Sequence, residues 1–164
     1  METFDALKKR ASTRDYQAGP IEKSLLEKLI DAARRAPTAR RVEPWEFVVV
    51  TQKETLDTLG RLADYGRFIK DAACCIAVYC SDTKYYLEDG CAATENILIA
   101  AADLGLGACW VAGDKKPYVP EVSKLLGVPK GMKLVSLISL GWPKKEIRQV
   151  KNRRLEDVLH WENF

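Results

Sequence analysis

C-C-I-A-V-Y-C, residues 74–80, is a continuous apolar run of strand length. A strand with no polar alternation is covered on both faces, so it reads as a central strand between two layers of helix. The segments on either side agree. Downstream, Y-L-E-D-G-C-A-A-T-E-N-I-L-I-A-A-A-D-L-G (86–105) predicts a long, Ala-rich helix ending at Gly105. Few charges follow Glu95, which marks a core helix. G-A-C-W-V-A (107–112) and K-L-V-S-L-I-S-L-G-W (133–142) read as strands. Between them V-P-E-V-S-K-L-L-G (119–127) reads as a short helix stopped by Gly127 and Pro129.

Upstream, W-E-F-V-V-V (45–50) is a strand and K-E-T-L-D-T-L-G-R-L-A (53–63) a helix. I-E-K-S-L-L-E-K-L-I-D-A-A-R-R-A (21–36) places Leu25, Leu26, Leu29, Ile30 and Ala33 on one face of a helix closed by Pro37. F-D-A-L-K-K-R (4–10) is a short helix, and Ser12 to Pro20 a loop ending in Gly-Pro. Helices alternate with strands, so the class is mixed α/β with helices covering a central sheet. There is no repeat, low-complexity segment or linker, and residues 1–164 form one expected domain. The tail is unusual. Leu155, Val158, Leu159, Trp161 and Phe164 are too apolar for a free terminus, and are expected to be buried on this subunit or another.

Apolar residues make up 47% of the 164 and charged residues 30%, an ordinary globular balance. The net charge of +3, without long basic runs, does not point to nucleic acid. No apolar run is long enough to cross a bilayer, and the N-terminal residues lack the apolar segment of a signal peptide. The expected location is cytoplasmic. Cys74, Cys75, Cys80, Cys91 and Cys109 fall mostly in apolar stretches, with no C-x-x-C and a single histidine, His160. They read as buried, reduced thiols rather than as zinc ligands or nucleophiles.

Familiar catalytic patterns are absent. G-L-G-A-C-W (105–110) begins like a dinucleotide fingerprint, but it puts Trp110 at the third glycine and follows a helix. There is no P-loop, nucleophile elbow, metal motif or paired-carboxylate signature. Chemistry without such side chains points to a bound cofactor. Arg10, Ser12 and Arg14 lie together near one end of the chain, and Lys151, Arg153 and Arg154 near the other. Two such clusters either form solvated basic faces or converge on one phosphate.

Four segments in order resemble the nitroreductase family. K-R-A-S-T-R-D-Y (9–16) is similar to its opening R-x-S-x-R-x-[FY]. A-P-T-A-R-R-V-E-P-W-E-F (36–47) resembles A-P-S-x-x-N-x-Q-P-W-x-F. D-G-C-A-A-T-E-N-I-L-I-A-A-A-D-L-G-L-G-A-C-W-V (89–111) resembles its long helix and following strand. L-I-S-L-G-W-P (137–143) and K-N-R-R-L-E-D-V-L (151–159) match its closing segments. The matches span nearly the whole chain.

The resemblance implies a three-layer α+β sandwich with a mainly antiparallel central sheet, a homodimer with the C-terminal tail exchanged between subunits, and FMN at the interface. Carried over by position, Arg10, Ala11, Ser12 and Arg14 fall where the family meets the phosphate, ribityl chain and pyrimidine edge of FMN. Lys151 with Arg153 or Arg154 would close on the phosphate. Pro37, Thr38, Ala39 and Arg41 would come from the other subunit. Val111, Ala112 and Gly113 would pass beside the ring, with the Ala112 N–H donating to flavin N5. The implied reaction takes hydride from NAD(P)H and passes it to a small acceptor, a nitroaromatic, quinone or similar compound. One site used twice gives ping-pong kinetics, and no protein acid or base is needed for the hydride step.

Arg41 stands where Asn is common, and Glu43 and Glu95 where Gln is common. Arg41 is free to reach the flavin, meet an acidic substrate, or pair with Glu43. The chain is short for the family, which implies an open, permissive pocket. A flavin carrier or sensor would share the binding residues. A non-enzymatic protein with scattered basic clusters would bind no flavin.

Overall fold

The computed structural model describes residues 2–164. Along the chain the elements are α1 (Thr3–Lys9), β1 (Tyr16–Gln17), α2 (Lys23–Ala33), β2 (Trp45–Val50), α3 (Lys53–Leu62), β3 (Cys74–Ser81), α4 (Tyr86–Asp103), β4 (Gly107–Ala112), α5 (Val119–Leu125) and β5 (Met132–Pro143). Short 3₁₀ turns occupy Ala39–Arg41, Arg67–Asp71 and Leu155–Asp157. Strand β3 is the buried central strand that its composition predicts. It pairs antiparallel with β2 on one edge and with β5 on the other. Cys74, Ile76, Val78 and Cys80 face Leu29, Ala93, Ile97 and their neighbours on α2 and α4. Cys75, Ala77 and Tyr79 face Leu56, Leu59, Ile69 and Val122 in the opposite layer. The period of two thus divides one apolar run between two cores, giving helix, sheet and helix layers.

Strand β5 joins the sheet together. One edge pairs with β3, and the other with β4 and then β1. Opposite Val78 and Tyr79 it gains a residue: Val78 pairs with Ser136 and Tyr79 with Leu134. The extra residue, Val135, makes a bulge that bends the strand. Helix α4 crosses this bulge at Gly90, where an added Cβ would sit 2.5 Å from Val135 Cγ2. The buried Thr94 hydroxyl donates to the Gly90 carbonyl at 2.8 Å and shares a 2.8 Å bond with Ser136. No buried side-chain polar atom among the described residues lacks a partner.

The segment read as a loop, Ser12 to Pro20, contains strand β1. Its pairing is set by tertiary contacts rather than by any run of strand formers. Thr13 N–H donates to the Ala108 carbonyl at 2.9 Å, and Ser12 bridges Ala108 in parallel. Gly107 permits that approach, because a Cβ there would meet Thr13 Cγ2 at 2.6 Å. The buried Tyr16 hydroxyl bonds the Thr13 carbonyl and Ser139 Oγ, each at 2.6 Å. Helix α2 is shorter than its 21–36 pattern and stops at Ala33, leaving Pro37 in the following connector.

The tail has no cover within this chain. Residues 144–164 are exposed apart from a partly buried Ile147 and Gln149, and Trp161 retains 78% of its surface. No helix among the described residues is long and apolar enough to cross a membrane.

All five cysteines are free. Burial pushes the thiols of Cys74 and Cys80 up to about 12, and that of Cys75 in the same direction. An unfolded thiol titrates near about 8.5. Above that pH the unfolded chain gives up protons that the folded chain keeps, so stability falls as pH rises. It should be flat on this account up to about pH 8, and fall by about 1.4 kcal/mol per pH unit for each such thiol between about pH 9 and 10. Urea midpoints measured across pH 7–10 read this. A midpoint that stays constant would show that the thiols titrate as if in water.

Candidate functional site

The N-terminal segment leaves α1 at Arg10, runs beside β4 through Ser12 and Thr13, and turns back at Tyr16. This path places the first predicted cluster along the edge of β4. A cavity of about 640 Å³ is lined by Lys8, Arg10 and Ser12 with Glu95, Trp110 and Lys151. A second cavity, of about 130 Å³, is lined by Arg14, Phe68, Trp110, Val111, Ala112 and Tyr118. Trp110 lines both, so the two cavities adjoin at that residue. The first is cationic, from Lys8, Arg10 and Lys151. The second is aromatic, with the Arg14 guanidinium carbon 5.6 Å from the centre of the Phe68 ring, a cation–π contact.

Residues remote in sequence are thereby brought together: Arg10 and Ser12 with Lys151, and Arg14 with Val111 and Ala112. Gln149 holds the tail's first part in place, its side-chain amide donating to the Leu7 carbonyl at 2.9 Å and also to the Arg10 carbonyl. Ala11 lines a neighbouring recess with Arg10 and Thr13. Gly113 lies just past β4, its N–H donating to the Val135 carbonyl at 3.0 Å. A Cβ on Gly113 would press to 2.6 Å from Leu134 Cγ.

Other predicted residues lie elsewhere in this chain. Arg153 donates to the Asp157 carbonyl. Arg154 pairs with Asp157 at 3.2 Å and with Glu156 at 3.0 Å. Pro37, Thr38, Ala39 and Arg41 belong to the connector before β2, where the Ala39 N–H donates to the buried Asp89 carboxylate at 3.0 Å. Neither group lines the two cavities.

The hydrogen-bonding edge of β4 gives the aromatic cavity a donor. In an antiparallel ladder, alternate residues turn both N–H and C=O toward the partner strand. Gly113 N–H points to β5 and the Ala108 carbonyl points away to Thr13. Ala112, in phase with Ala108, therefore also points away from β5. Its carbonyl accepts from the Tyr118 hydroxyl, while its N–H is directed off the sheet edge, beside the aromatic cavity. Burial raises Tyr118 to about 12, so it stays a donor across the neutral range. The Cys109 thiol is also raised by burial, with Arg14 and a Ser12 hydrogen bond acting in the opposite direction. It stays protonated and offers no nucleophile.

Asp64, Tyr65, Phe68, Lys116 and Tyr118 were not among the predicted site residues, yet they line the aromatic cavity. Three of them fall in A-D-Y-G-R-F (63–68), a connector between a helix and a strand that no local pattern marks as part of a site. A larger groove, about 1000 Å³, is lined by Tyr16, Lys23, Lys53, Lys70 and Lys144 among others and contains none of the predicted residues.

The arrangement suits an elongated ligand with an anionic group at one end and a flat ring at the other. Comparison with known proteins bears on what that ligand is. The nitroreductase family model matches residues 7–74 and 64–142. A protein of Methanothermobacter thermautotrophicus, named as a candidate NADH dehydrogenase/NAD(P)H nitroreductase, is 34% identical over 149 residues, covering 87% of this chain and 78% of that protein. The FMN-dependent nitroreductase of Clostridium difficile R20291 has a TM-score of 0.90 at 30% identity, covering 98% of this chain and 99% of that one. A structure from Parabacteroides distasonis, named as a candidate enzyme of the same kind, gives 0.92 at 31% identity over 99% of this chain and 98% of its own.

Replacing Tyr118 by Phe removes the donor to the Ala112 carbonyl at the end of β4. The expected loss is about 1 kcal/mol of stability, with faster amide exchange at residues 111–113. Exchange rates unchanged in Tyr118→Phe would show that this hydroxyl does not secure the strand end.

Proposed function

Because this chain belongs to the nitroreductase family, we propose that it is a homodimeric FMN enzyme that carries hydride from NAD(P)H to a small acceptor, such as a nitroaromatic or quinone, by a ping-pong mechanism. The chain is an NAD(P)H oxidoreductase of that family. The observation that carries it is the shape and charge of the depression at Trp110, which a single FMN-like ligand would fill along its length. On this reading residues 1–164 make one FMN-binding domain.

The residues present fit the group. Arg10 and Lys151 supply cations for the phosphate, with Ala11 and Ser12 on the backbone turn between the phosphate and the ribityl chain. Arg14, held over Phe68, would meet the pyrimidine edge. The Ala112 N–H, turned off the sheet, would donate to the ring's N5, with Val111 and Gly113 on either side of it. Bound FMN supplies reversible hydride acceptance at N5. The chain's part is to orient the ring, to aim an N–H dipole where charge changes, and to leave one ring face open to each substrate in turn. No ionisable side chain is required to move a proton in the hydride step. Arg153 is better placed than Arg154 to join Lys151 on the phosphate, because it gives up only a backbone carbonyl, whereas Arg154 holds two carboxylates.

The dimer rests on exposed apolar surface. Leu155, Val158, Leu159 and Trp161 lie uncovered in the tail, and Phe4 retains 76% of its surface on α1. Soluble monomers seldom leave so much apolar area together, at a cost of about 25 cal/mol for each Å². Strand β2 ends the sheet with an unpaired edge, a natural seat for an extended segment of a second chain. A tail docked in this way would bring Pro37, Thr38, Ala39 and Arg41 of one subunit to the flavin of the other.

The purified protein should show flavin absorption that bleaches with NADH or NADPH under anaerobic conditions and returns on adding an acceptor. Bands that never bleach would fit a carrier or sensor, and no bands after incubation with FMN would remove the site described above. Deleting residues 155–164 should yield a monomer that loses its flavin, read by light scattering and absorbance. A truncated protein that remains a loaded dimer would take the tail out of the interface.

A further inference from the structure

The connector between α2 and β2 contains an arrangement that the proposed chemistry does not explain. Arg40, Arg41 and Glu43 adopt φ of 58°, 57° and 49°. Left-handed backbone is disfavoured for residues bearing a Cβ, and it persists where the surroundings impose it, often at functional sites. Here the surroundings do so on both sides. Asp89, buried on α4, fixes the Ala39 N–H, and Thr38 Oγ1 accepts from the Glu43 N–H at 3.1 Å. Pro44 and Trp45 are buried immediately after. The turn so held presents two adjacent guanidiniums to solvent.

Neither guanidinium has a hydrogen-bond or ion-pair partner among the described residues. Glu43 does not pair with Arg41, so that use of Arg41 drops out. By contrast Arg34 and Arg35, at the end of the preceding helix, both pair with Asp31, at 2.5 and 2.9 Å. Two consecutive, unpaired arginines on a held turn have the chemistry to take a carboxylate or phosphate through charge-assisted, bidentate bonds.

We propose that Arg40 and Arg41 bind the anionic group of the substrate that visits the flavin, so that the enzyme is selective for oxyanion-bearing substrates. This rests on the reading that residues 37–41 of one subunit line the flavin of the other. Two sources carry the required chemistry: the phosphates of NAD(P)H and a carboxylate on the acceptor.

The deciding variant is Arg40→Asn, since Arg40 is not among the residues assigned to the flavin and Asn tolerates the left-handed backbone. Titration calorimetry of the intact protein with benzoate and with inorganic pyrophosphate, using benzamide as the uncharged control, reads anion binding without turnover. Affinity for at least one anion should fall about tenfold in Arg40→Asn, and that for benzamide should not. Equal anion affinities in variant and parent, or no measurable anion binding by the parent, would overturn the proposal. Anaerobic single-turnover measurements then identify the source. Slower bleaching by NADH assigns the site to the donor's phosphates. A lower ratio of rates for 4-nitrobenzoate over nitrobenzene assigns it to the acceptor's carboxylate. A variant unchanged in both would also overturn it. Failure of the oxidoreductase reading itself looks different: flavin in the parent that never bleaches, whatever the calorimetry gives.

Discussion

Strand β5 is hydrogen-bonded along both edges, and most of the structure depends on that pairing. Among the described residues it is the one strand paired with three others, and its residues 134–141 are buried throughout. Two serines lie inside it, and each must find a partner where water cannot reach. Ser136 is met by Thr94 from α4, and Ser139 by Tyr16 from the N-terminal segment. These two bonds fix the long helix above the sheet and the N-terminal segment beside it. The polar groups of the core thus determine where the site residues come to rest.

The site follows from that anchoring. Tyr16 ties down a chain that would otherwise be a free loop, and Gly107 lets the chain run against β4. Arg10, Ser12 and Arg14 then lie in sequence along a strand edge whose outward N–H groups are unused by the sheet. Lys151 arrives from the opposite end of the chain, steadied by Gln149. Charge gathers at one end of the depression and aromatic surface at the other. On the proposed reading, that polarity would give the bound group both its place and its direction beside a fixed backbone donor.

The connector before β2 shows a second use of the same economy. Asp89 is buried and acidic, an arrangement that needs compensation, and a backbone N–H of the connector supplies part of it. The bond holds Ala39 while the following two arginines are forced into left-handed backbone. Left-handed backbone there is unfavourable for the fold alone, and both arginine side chains remain exposed on the turn.

Much of the architecture was legible in order of residues. The run 74–80 announced a strand buried on both faces, and its alternate residues do divide between two cores. The Ala-rich helix with few charges after Glu95 packs as a core helix. The free thiols, the four long strands and the five helices follow from apolar pattern and helix stops, because those signals are local and large. The pairing of Tyr16–Gln17 was not legible, since two residues carry no periodicity and the strand exists only through its neighbours. The second half of the site, Asp64, Tyr65, Phe68 and Tyr118, was likewise invisible as a site, because nothing local marks a connector as one wall of a cavity. Sequence by itself therefore determined which segments become helix or strand and which chemical groups are available, through local propensity and burial. Only the tertiary structure decided which of those groups meet: long-range backbone pairing sets the distances, and a few buried hydroxyls choose the register in which remote cations, aromatics and one unpaired N–H face the same space.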